Sequence, residues 1–427
     1  MTLDPGHFHA ALIHKKMYPE VSPQIHIFAP NGPDVQEHLR RIEAYNRRSE
    51  DPTRWETILY LGDDYLERML RLRPGNVVVI SGNNRRKTEY IKACVAAGLH
   101  VLADKPMCMN REGFNLLREA FDLAQRKGVL LYDIMTERYE ITTMLQKELI
   151  HIPEVFGELQ VGSPEQPSII KESVHHFFKY VSGQPLKRPG WYFDVKQQGD
   201  GLVDVTTHLV DLVQWECFPE QIIDFEHEIE LVDARHWPTL VSPGQFQQVT
   251  QLPEFPDYLR PYLNESGELA VSANGEIVYK IRGIHVRIAV SWEFQAPDDG
   301  GDTHYSLMRG SKADVVIRQG KEQHYRPELY VEPADLGQPE AIAHALESTI
   351  LKLQSQYPGI AMQPTPKGWQ IIIPDSFRVG HEAHFAQVTE KFLQFLKNGK
   401  LPDWEWAYMM AKYHTTTAAL ELALNEH

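Results

Sequence analysis

The sequence predicts an α/β fold with an N-terminal Rossmann-type parallel sheet and a C-terminal α+β domain with an open, mainly antiparallel sheet. Three observations support this prediction. Over residues 1–135, short runs rich in Val, Ile and Leu alternate with segments of helical periodicity. After about residue 136, longer runs alternate apolar and polar residues, which is typical of antiparallel strands. The length of 427 residues also suits two cores better than one.

The first domain is predicted over residues 1–135. After the opening run at Thr2, strand-like runs follow at "QIHIFA", "TILYL", "NVVVIS", "HVLAD" and "VLLYDI". Helical segments such as "DYLERMLRL" and "KTEYIKACVAAG" separate them, and Gly98 fits the C-terminal cap of the latter. Six strands joined by helices is the number in a doubly wound nucleotide-binding sheet.

The second domain is predicted over residues 136–427. It begins with the helical segment "EITTMLQKELI" and continues with strand-like runs at "GELAVSA", "GEIVYKIRG" and "HVRIAVSWEF". The tail returns to helical periodicity at "EAHFAQVTEKFLQFLKNG" and "AYMMAKYHTTTAALELAL". We expect these last helices to be able to pack back on the first domain.

Composition excludes several partners. The net charge is -15 and no block of Lys and Arg interrupts it, so neither nucleic acid nor an anionic membrane surface is expected. No apolar run is long enough to span a bilayer, and no signal pattern precedes the first strand. Cys94, Cys108 and Cys217 suit neither a disulfide framework nor a metal site. We expect a cytoplasmic protein, or a periplasmic one if the native N-terminus lies before Met1.

The opening stretch "TLDPGHFHAAL" runs from a strand into a helix with a single glycine. Free N–H groups at a helix N-terminus suit a phosphate, and dinucleotide-binding turns place glycines as G-x-G-x-x-G. In that spacing Gly6 keeps the middle position, while Asp4 and His9 replace the outer glycines. An ordinary strand-to-helix turn is the alternative interpretation.

Two further stretches carry candidate catalytic residues. In "HVLADKPM", Lys105 follows a buried strand at the edge where open α/β sheets bind ligands; the alternative is a surface lysine in a turn. In "GDGLVDVTTHLVDLVQW", Asp204 and His208 stand four residues apart on one predicted helical face. A carboxylate that orients an imidazole suits acid–base chemistry, although a solvated pair would have the same spacing.

Together these stretches resemble the Gfo/Idh/MocA oxidoreductases. "HVLADKP" is similar to the family's E-K-P strand end, with Asp104 in place of the glutamate, and "NVVVISGNN" and "RYEITTMLQKEL…FGEL" are similar to two other segments. The family's W…GGG…D-x-G-x-H-x-x-D segment matches at Trp191, Gly199, Gly201, Asp204, His208 and Asp211. The C-terminal part is similar to a branch with its own C-terminal domain.

The resemblance implies an NAD(P)-dependent oxidoreductase that acts on a CH–OH group of a sugar, glycoside or polyol. Lys105 would lie by the nicotinamide ribose and the reacting oxygen, His208 would take or return the hydroxyl proton, and Asp204 would orient His208 or hold substrate hydroxyls. The pKa of His208 is expected near 6 to 8, and Asp204 would raise it. The implied cofactor-binding residues are Gly6, His7, Phe8, Asn31, Ser81, Asn83, Asn84, Asp104 and Lys105. NAD is favoured because no basic residue follows the second strand, with NADP left open. The family also implies a homo-oligomer, either a dimer or a tetramer.

Candidate substrate-binding residues mix aromatic faces with hydrogen-bond donors, which suits a carbohydrate. They are His175, His176, Lys179, Trp191 and Tyr192, with Arg138 and Tyr139 just after the sixth strand. Packing is the alternative role for the aromatic ones. No metal is expected, because no carboxylate–histidine spacing supports one.

Three function classes stay open. The first is a dehydrogenase that releases or recycles its cofactor. The second is a glycosidase or lyase that oxidises its sugar transiently with bound NAD, so that a tightly held cofactor without net turnover would identify it. The third is a non-catalytic sugar-binding relative, favoured by the missing glycines and disfavoured by Lys105, Asp204 and His208.

Overall fold

The computed structural model describes residues 1–181, 184–297, 300–335 and 339–425. Its N-terminal part is a parallel sheet of six strands in the order β3-β2-β1-β4-β5-β6, which confirms the predicted Rossmann-type topology. The strands are β1 (Thr2–Leu3), β2 (Gln24–Ala29), β3 (Glu56–Leu61), β4 (Val77–Ile80), β5 (His100–Asp104) and β6 (Leu131–Ile134). The order reverses between β1 and β4, so the ligand-binding crevice is expected there.

Five helices cover the faces of this sheet. They are α1 (His9–Leu12), α2 (Pro33–Arg47), α3 (Tyr65–Leu72), α4 (Lys87–Ala96) and α5 (Arg111–Lys127). Helix α5 shows why its ends fall where they do: the side chain of Asn110 accepts a hydrogen bond from the Gly113 amide, and Gly128 adopts a left-handed conformation after the last turn. Helix α1 has only four residues, so the turn before it is more prominent than the helix.

The loops after β1 and β4 contact each other closely. A Cβ atom on Gly82 would lie 2.2 Å from the carbonyl oxygen of Asp4 and 2.8 Å from the amide nitrogen of Gly6. Only glycine allows this approach, so the tip of β4 supports the turn that carries Gly6.

The second part is built on a nine-stranded sheet in the order β10-β11-β12-β7-β13-β14-β15-β17-β16. Its neighbouring strands are antiparallel except for the parallel pair β12 and β7, which confirms an open, mainly antiparallel sheet. The strands are β7 (Ile169–Phe178), β10 (Ile229–Val241), β11 (Leu269–Ile281), β12 (Ile284–Gln295), β13 (Thr303–Arg309), β14 (Ala313–Gln319), β15 (Glu328–Pro333), β16 (Ala361–Thr365) and β17 (Gly368–Ile372), and a separate two-stranded ribbon is formed by β8 (Tyr180–Val181) and β9 (Gln184–Pro185).

Among its described residues, the second part of the chain has six α-helices. They are α6 (Ile141–Ile150), α7 (Thr206–Cys217), α8 (Pro243–Thr250), α9 (Pro339–Leu353), α10 (His381–Asn398) and α11 (Asp403–Asn425). The turn before α7 packs directly on β11, because a Cβ atom on Gly201 would lie 2.4 to 2.5 Å from backbone atoms of Ala273 and Asn274. This contact fixes the turn that carries Asp204.

The last two helices also contribute to the core of the first domain. Phe385, Phe392 and Phe395 of α10 and Met409 and Tyr413 of α11 are buried in one cluster with the side chains of β4, β5 and β6. The chain therefore returns to the Rossmann sheet after completing the second one. Among the described helices, none combines the length and the apolar character needed to cross a bilayer.

Candidate active site

Lys105 lies at the carboxyl end of β5 and pairs with the second domain. Its Nζ donates to Oδ1 of Asp204 over 2.5 Å. Twelve per cent of the Lys105 side chain and 8% of the Asp204 side chain remain accessible, so the pair is not completely buried. The other oxygen of Asp204 accepts from Gln198 Nε2 at 3.2 Å. The structure thus brings together two of the three residues expected to be catalytic.

The expected pairing of Asp204 with His208 is wrong. Helix α7 begins only at Thr206, so Asp204 lies in the preceding turn and its carboxylate faces Lys105 instead. Within the described residues, the buried Nδ1 of His208 has no hydrogen-bond partner. Burial and then the charge of Lys105 lower the pKa of His208 to about 3, opposite to the predicted rise. His208 is therefore neutral at physiological pH.

Glu137 is a carboxylate beside His208 that the sequence prediction missed. It lies in a 3-10 turn (Thr136–Tyr139) directly after β6, and 38% of its side chain is accessible. Burial opposes its ionisation, but His381, whose Nδ1 lies 3.6 Å from the carboxylate, outweighs burial and lowers the pKa of Glu137. Glu137 could have been predicted from its position just after a parallel strand, because the same position identified Lys105 as a candidate.

The turn after β1 is hydrogen-bonded to Ser81, the residue that follows β4. The amides of Gly6 and His7 both donate to the carbonyl oxygen of Ser81, over 3.3 and 3.4 Å. Asp4 has a positive φ of 47°, and its carboxylate accepts from the hydroxyl of Tyr90 at 3.0 Å. The turn is therefore rigid although two of its expected glycines are missing.

Trp191 of the second domain covers Gly6. Its Nε1 donates to Oδ2 of Asp34 over 2.9 Å, and a Cβ atom on Gly6 would lie 3.1 Å from that oxygen and 3.3 Å from Trp191 Cζ2. Burial raises the pKa of Asp34. Asn31 is exposed after β2, so Asp34 rather than Asn31 is the polar residue at the turn.

Asn83 and Asn84 bind the second domain in this structure. Nδ2 of Asn83 donates to Gln197 Oε1 over 2.7 Å, and Nδ2 of Asn84 donates to the Gln198 carbonyl over 2.6 Å. Asn84 is buried, whereas Asn83 is half-buried. These two amides therefore position the segment that leads to Asp204.

Arg138 does not face a substrate. Its Nε and Nη2 donate to the two oxygens of Asp211 over 2.6 and 2.7 Å, and its Nη1 donates to Glu405 over 2.9 and 3.0 Å. Lys412 continues the network by pairing with both Asp211 and Asp133 at 2.7 Å. All three guanidinium nitrogens are occupied, so the expectation for Arg138 is corrected to a buried link from the turn after β6 to helices α7 and α11, which Lys412 extends to Asp133 of the first domain. Its neighbour Tyr139 is half-buried and packs against the hydrophobic core of the first domain.

Three other expected substrate-binding residues surround Asp302, which the sequence prediction also missed. Nδ1 of His176 lies 2.9 Å from the carboxylate, Nζ of Lys179 lies 2.7 Å from it and Nδ1 of His175 lies 3.4 Å from it. Burial opposes ionisation of Asp302, but these three neighbours outweigh it and lower its pKa.

The two aromatic residues expected to contact substrate are buried. Trp191 is 8% exposed and Tyr192 is 7% exposed, and both belong to the core of the second domain. Tyr192 packs edge-on to Trp292 and under the guanidinium of Arg188. The packing alternative therefore describes them better than an open carbohydrate platform does.

The comparisons with known proteins agree with this architecture. The profile described as "Putative oxidoreductase C terminal domain" matches residues 145–424, and that described as "Oxidoreductase family, NAD-binding Rossmann fold" matches residues 26–133. The chain belongs to the Gfo/Idh/MocA oxidoreductases. Among curated proteins, no match is found.

Solved structures include a near relative of this oxidoreductase. A putative oxidoreductase from Parabacteroides merdae is 56% identical, with a TM-score of 0.98 over 100% of this chain and 97% of that chain. A putative oxidoreductase from Thermotoga maritima is 14% identical, with a TM-score of 0.64 over 100% and 98%. Levoglucosan dehydrogenase in complex with NADH is 15% identical, with a TM-score of 0.62 over 100% and 96%. The last two show the fold alone.

Residues 26–133 of this oxidoreductase belong to an NAD-binding Rossmann domain. The residues around the first turn fit a dinucleotide. A cavity of about 540 Å³ is bordered by Gly6, His7 and Phe8 and also by Arg41 and Lys187. Arg41 is paired with Glu37 at 2.9 Å, so Lys187 is the cation that can serve a phosphate. The match to the Rossmann profile begins after this turn, at residue 26, so the geometry of the turn is a separate observation.

A metal was not expected, and the structure brings one group of possible ligands together. Donor atoms of His7, His9 and Asp104 lie within 4.8 Å of one another. The carboxylate of Asp104 is already paired with the buried ammonium of Lys87 and accepts from Ser81 Oγ at 2.6 Å. A divalent cation there would lie against that ammonium, which argues against a metal site.

Proposed function

We propose that this oxidoreductase uses NAD to oxidise a CH–OH group of a sugar, glycoside or polyol, with NADP left open as the cofactor. The observation that carries the proposal is the pair Lys105–Asp204, which joins the nucleotide-binding sheet to the second domain over 2.5 Å and stays partly accessible. A nicotinamide ring, when bound, supplies the hydride acceptor.

Lys105 supplies charge to the reacting oxygen. An ammonium has three N–H donors, and one of them is used by Asp204 within the described residues. A hydroxyl that binds between them can accept from Lys105 and donate to Asp204, which fixes its orientation. As the hydroxyl loses its proton, the ammonium stabilises the negative charge on oxygen.

His208 contributes as a neutral group. Burial and the charge of Lys105 outweigh the nearby carboxylates of Glu137 and Asp211 and lower its pKa to about 3, and its Nδ1 has no hydrogen-bond partner within the described residues. It therefore orients a substrate hydroxyl by hydrogen bonding. The Asp302 cluster with His175, His176 and Lys179 is proposed to bind more distant hydroxyl groups, because the His175 ring is half-buried and the partly accessible ammonium of Lys179 has N–H donors beside the one that Asp302 uses.

The experiment that tests the proposal has two parts. Native mass spectrometry of the purified protein should show bound dinucleotide, and a panel of sugars, glycosides and polyols should include compounds that reduce added NAD. Lys105→Met should abolish the reduction, whereas the exposed control Lys127→Met should not. If the wild-type protein neither binds dinucleotide nor reduces it with any compound, the non-catalytic alternative is favoured instead.

The contact of Trp191 with Asp34 favours a second candidate function. The Trp191 ring lies next to Gly6, where we expect the dinucleotide to bind, and this position favours a cofactor that stays bound. A glycosidase or lyase that oxidises its sugar only transiently needs such retention. Isotopically labelled NAD tests this directly: exchange slower than turnover, with cleavage of a glycoside, supports the second candidate, and rapid exchange supports the dehydrogenase.

A further inference from the structure

Glu137 lies at the same edge of the Rossmann sheet as Lys105. Strands β5 and β6 are parallel neighbours, and Asp104, which precedes Lys105, pairs in register with Ile134. Neighbouring strands lie about 4.8 Å apart. The 3-10 turn that carries Glu137 (Thr136–Tyr139) therefore follows β6 beside the segment that carries Lys105. In open α/β sheets, this carboxyl edge is where ligands bind.

Helix α10 links Glu137 to the end of β5. His381 is the first residue of this helix, and its Nδ1 lies 3.6 Å from Oε1 of Glu137. The ring centroid of His381 lies 5.6 Å from that of His9, and Nδ1 of His9 lies 3.2 Å from Oδ2 of Asp104. A continuous set of side-chain contacts therefore leads from Glu137 to the residue before Lys105.

Helix α7 of the second domain approaches the same carboxylate. It contacts the turn that carries Glu137. The charges of Lys105 and Glu137 act on His208 of this helix in opposite directions, since Lys105 lowers the pKa of His208 and Glu137 raises it. His208 is therefore within electrostatic reach of both groups, as expected if the three side chains border one site.

Part of the Glu137 carboxylate is free to bind a ligand. Thirty-eight per cent of the side chain is accessible. His381 lies next to Oε1, and the hydroxyl of Thr136 donates to the same oxygen over 3.4 Å. Among the described residues, Oε2 has no hydrogen-bond partner. Because His381 holds the pKa of Glu137 below its usual value, the carboxylate is ionised at neutral pH and only accepts hydrogen bonds.

The charges around the site favour an uncharged ligand. Asp204 balances the ammonium of Lys105 over 2.5 Å, and Lys179 balances Asp302 over 2.7 Å. Within the described part of the chain, no lysine or arginine forms an ion pair with Glu137. Its negative charge would repel a carboxylate or phosphate group bound next to Lys105, whereas a hydroxyl group can donate to it.

We infer that Glu137 is a substrate-binding residue that selects an uncharged sugar, glycoside or polyol over sugar acids and sugar phosphates. This inference rests on the proposed function. One hydroxyl group of the substrate binds between Lys105 and Asp204, and a second hydroxyl group of the same molecule donates to Oε2 of Glu137. The C-terminal helix α10 contributes to this selection, because its first residue holds the other oxygen of Glu137.

The first test compares Glu137→Gln with the exposed control Glu154→Gln. With a neutral sugar as substrate, Glu137→Gln should raise KM by about 10- to 100-fold, because a hydrogen bond to a charged acceptor is weakened. Dinucleotide affinity, measured by calorimetry, should be unchanged in both variants, and the control should keep the KM of the wild type. An unchanged KM in Glu137→Gln overturns the inference.

The second test measures selectivity and begins with the unmodified protein. The wild type should use a neutral sugar about 100-fold better, by kcat/KM, than the uronic acid of the same configuration. Glu137→Gln should narrow that ratio by roughly tenfold, whereas Glu137→Asp, which keeps the charge, should not. A wild type that prefers the uronic acid or a sugar phosphate overturns the inference and leaves the proposed function intact. A protein that reduces no dinucleotide with any carbohydrate, neutral or charged, refutes the proposed function and substrate selection by Glu137 with it.

Discussion

Two sets of cation–carboxylate pairs lie where the two domains meet, and they differ in how many N–H donors remain free. Every nitrogen of Arg138 donates to Asp211 or Glu405, and Lys412 pairs with two carboxylates; the side chains are at most 6% exposed. Lys105 makes one described hydrogen bond and stays partly accessible. The first set is saturated and structural, whereas the second keeps donors for a ligand.

Replacing Arg138 should have the largest effect, and on folding. Arg138→Met leaves Asp211 and Glu405 buried with less compensation, and breaking a buried pair costs about 3–5 kcal/mol. The melting temperature should fall strongly, measured by calorimetry beside the exposed control Arg71→Met. A variant that melts like the wild type would show that the network is not structural.

Replacing Lys105 should affect turnover more than folding. Lys105→Met removes the ammonium beside the reacting oxygen, so kcat should fall by roughly 100-fold or more. Its melting temperature should fall less than that of Arg138→Met, because a single carboxylate loses its cation and Gln198 Nε2 still donates to it at 3.2 Å. Full turnover of Lys105→Met, or a loss of stability as large as that of Arg138→Met, would contradict the conclusion that the Lys105 pair is functional and the Arg138 pairs are structural.

Gly6→Val should impair cofactor binding. Its Cβ atom would lie 3.1 Å from Asp34 Oδ2 and 3.3 Å from Trp191 Cζ2, and its γ-carbons would enter the cavity. Calorimetry should show at least a tenfold weaker affinity for NAD, with Gly244→Ala as a control at a glycine where a Cβ atom meets nothing within 4 Å. Wild-type affinity in Gly6→Val would place the dinucleotide elsewhere.

Low pH should destabilise the protein through its buried neutral histidines. Burial lowers the pKa of His38 to about 3 and that of His14 to about 4. The unfolded chain binds these protons more readily, so the contribution to stability is complete above about pH 6.5 and falls by roughly 1.4 kcal/mol per pH unit and imidazole as pH decreases towards the folded pKa. Melting temperatures measured from pH 7 downwards should fall, and less steeply in His38→Leu. Equal slopes in the two proteins would contradict the assignment.

The smallest expected effect is a change in one pKa. In Lys105→Met the pKa of His208 should rise, because a neighbouring positive charge is removed. His38 lies outside this site and provides the internal control. NMR titration of the imidazoles should show a higher pKa for His208 and an unchanged pKa for His38. An unchanged pKa of His208 would mean that burial alone sets it.

Much of the fold could be predicted because its signals are local. Strand and helix periods alternate within short windows, and Lys105 is found by its position after a strand. The partners of Arg138 lie 73 and 267 residues away, so no window contains them. Asp204 and His208 were paired by a helical spacing that holds only if the helix includes both, and the turn fixed by Gly201 ends before Thr206.

The return of the final helices to the first sheet has a consequence for biosynthesis. Tyr413 bonds Asp133 across 280 residues of chain, and α10 and α11 fill the apolar face of β4 to β6. While a ribosome is still making the second sheet, the nascent Rossmann half exposes that face, and it can close only after the last helix emerges. The Rossmann domain is therefore translated first but completes its packing last, after the C-terminal sheet has been made.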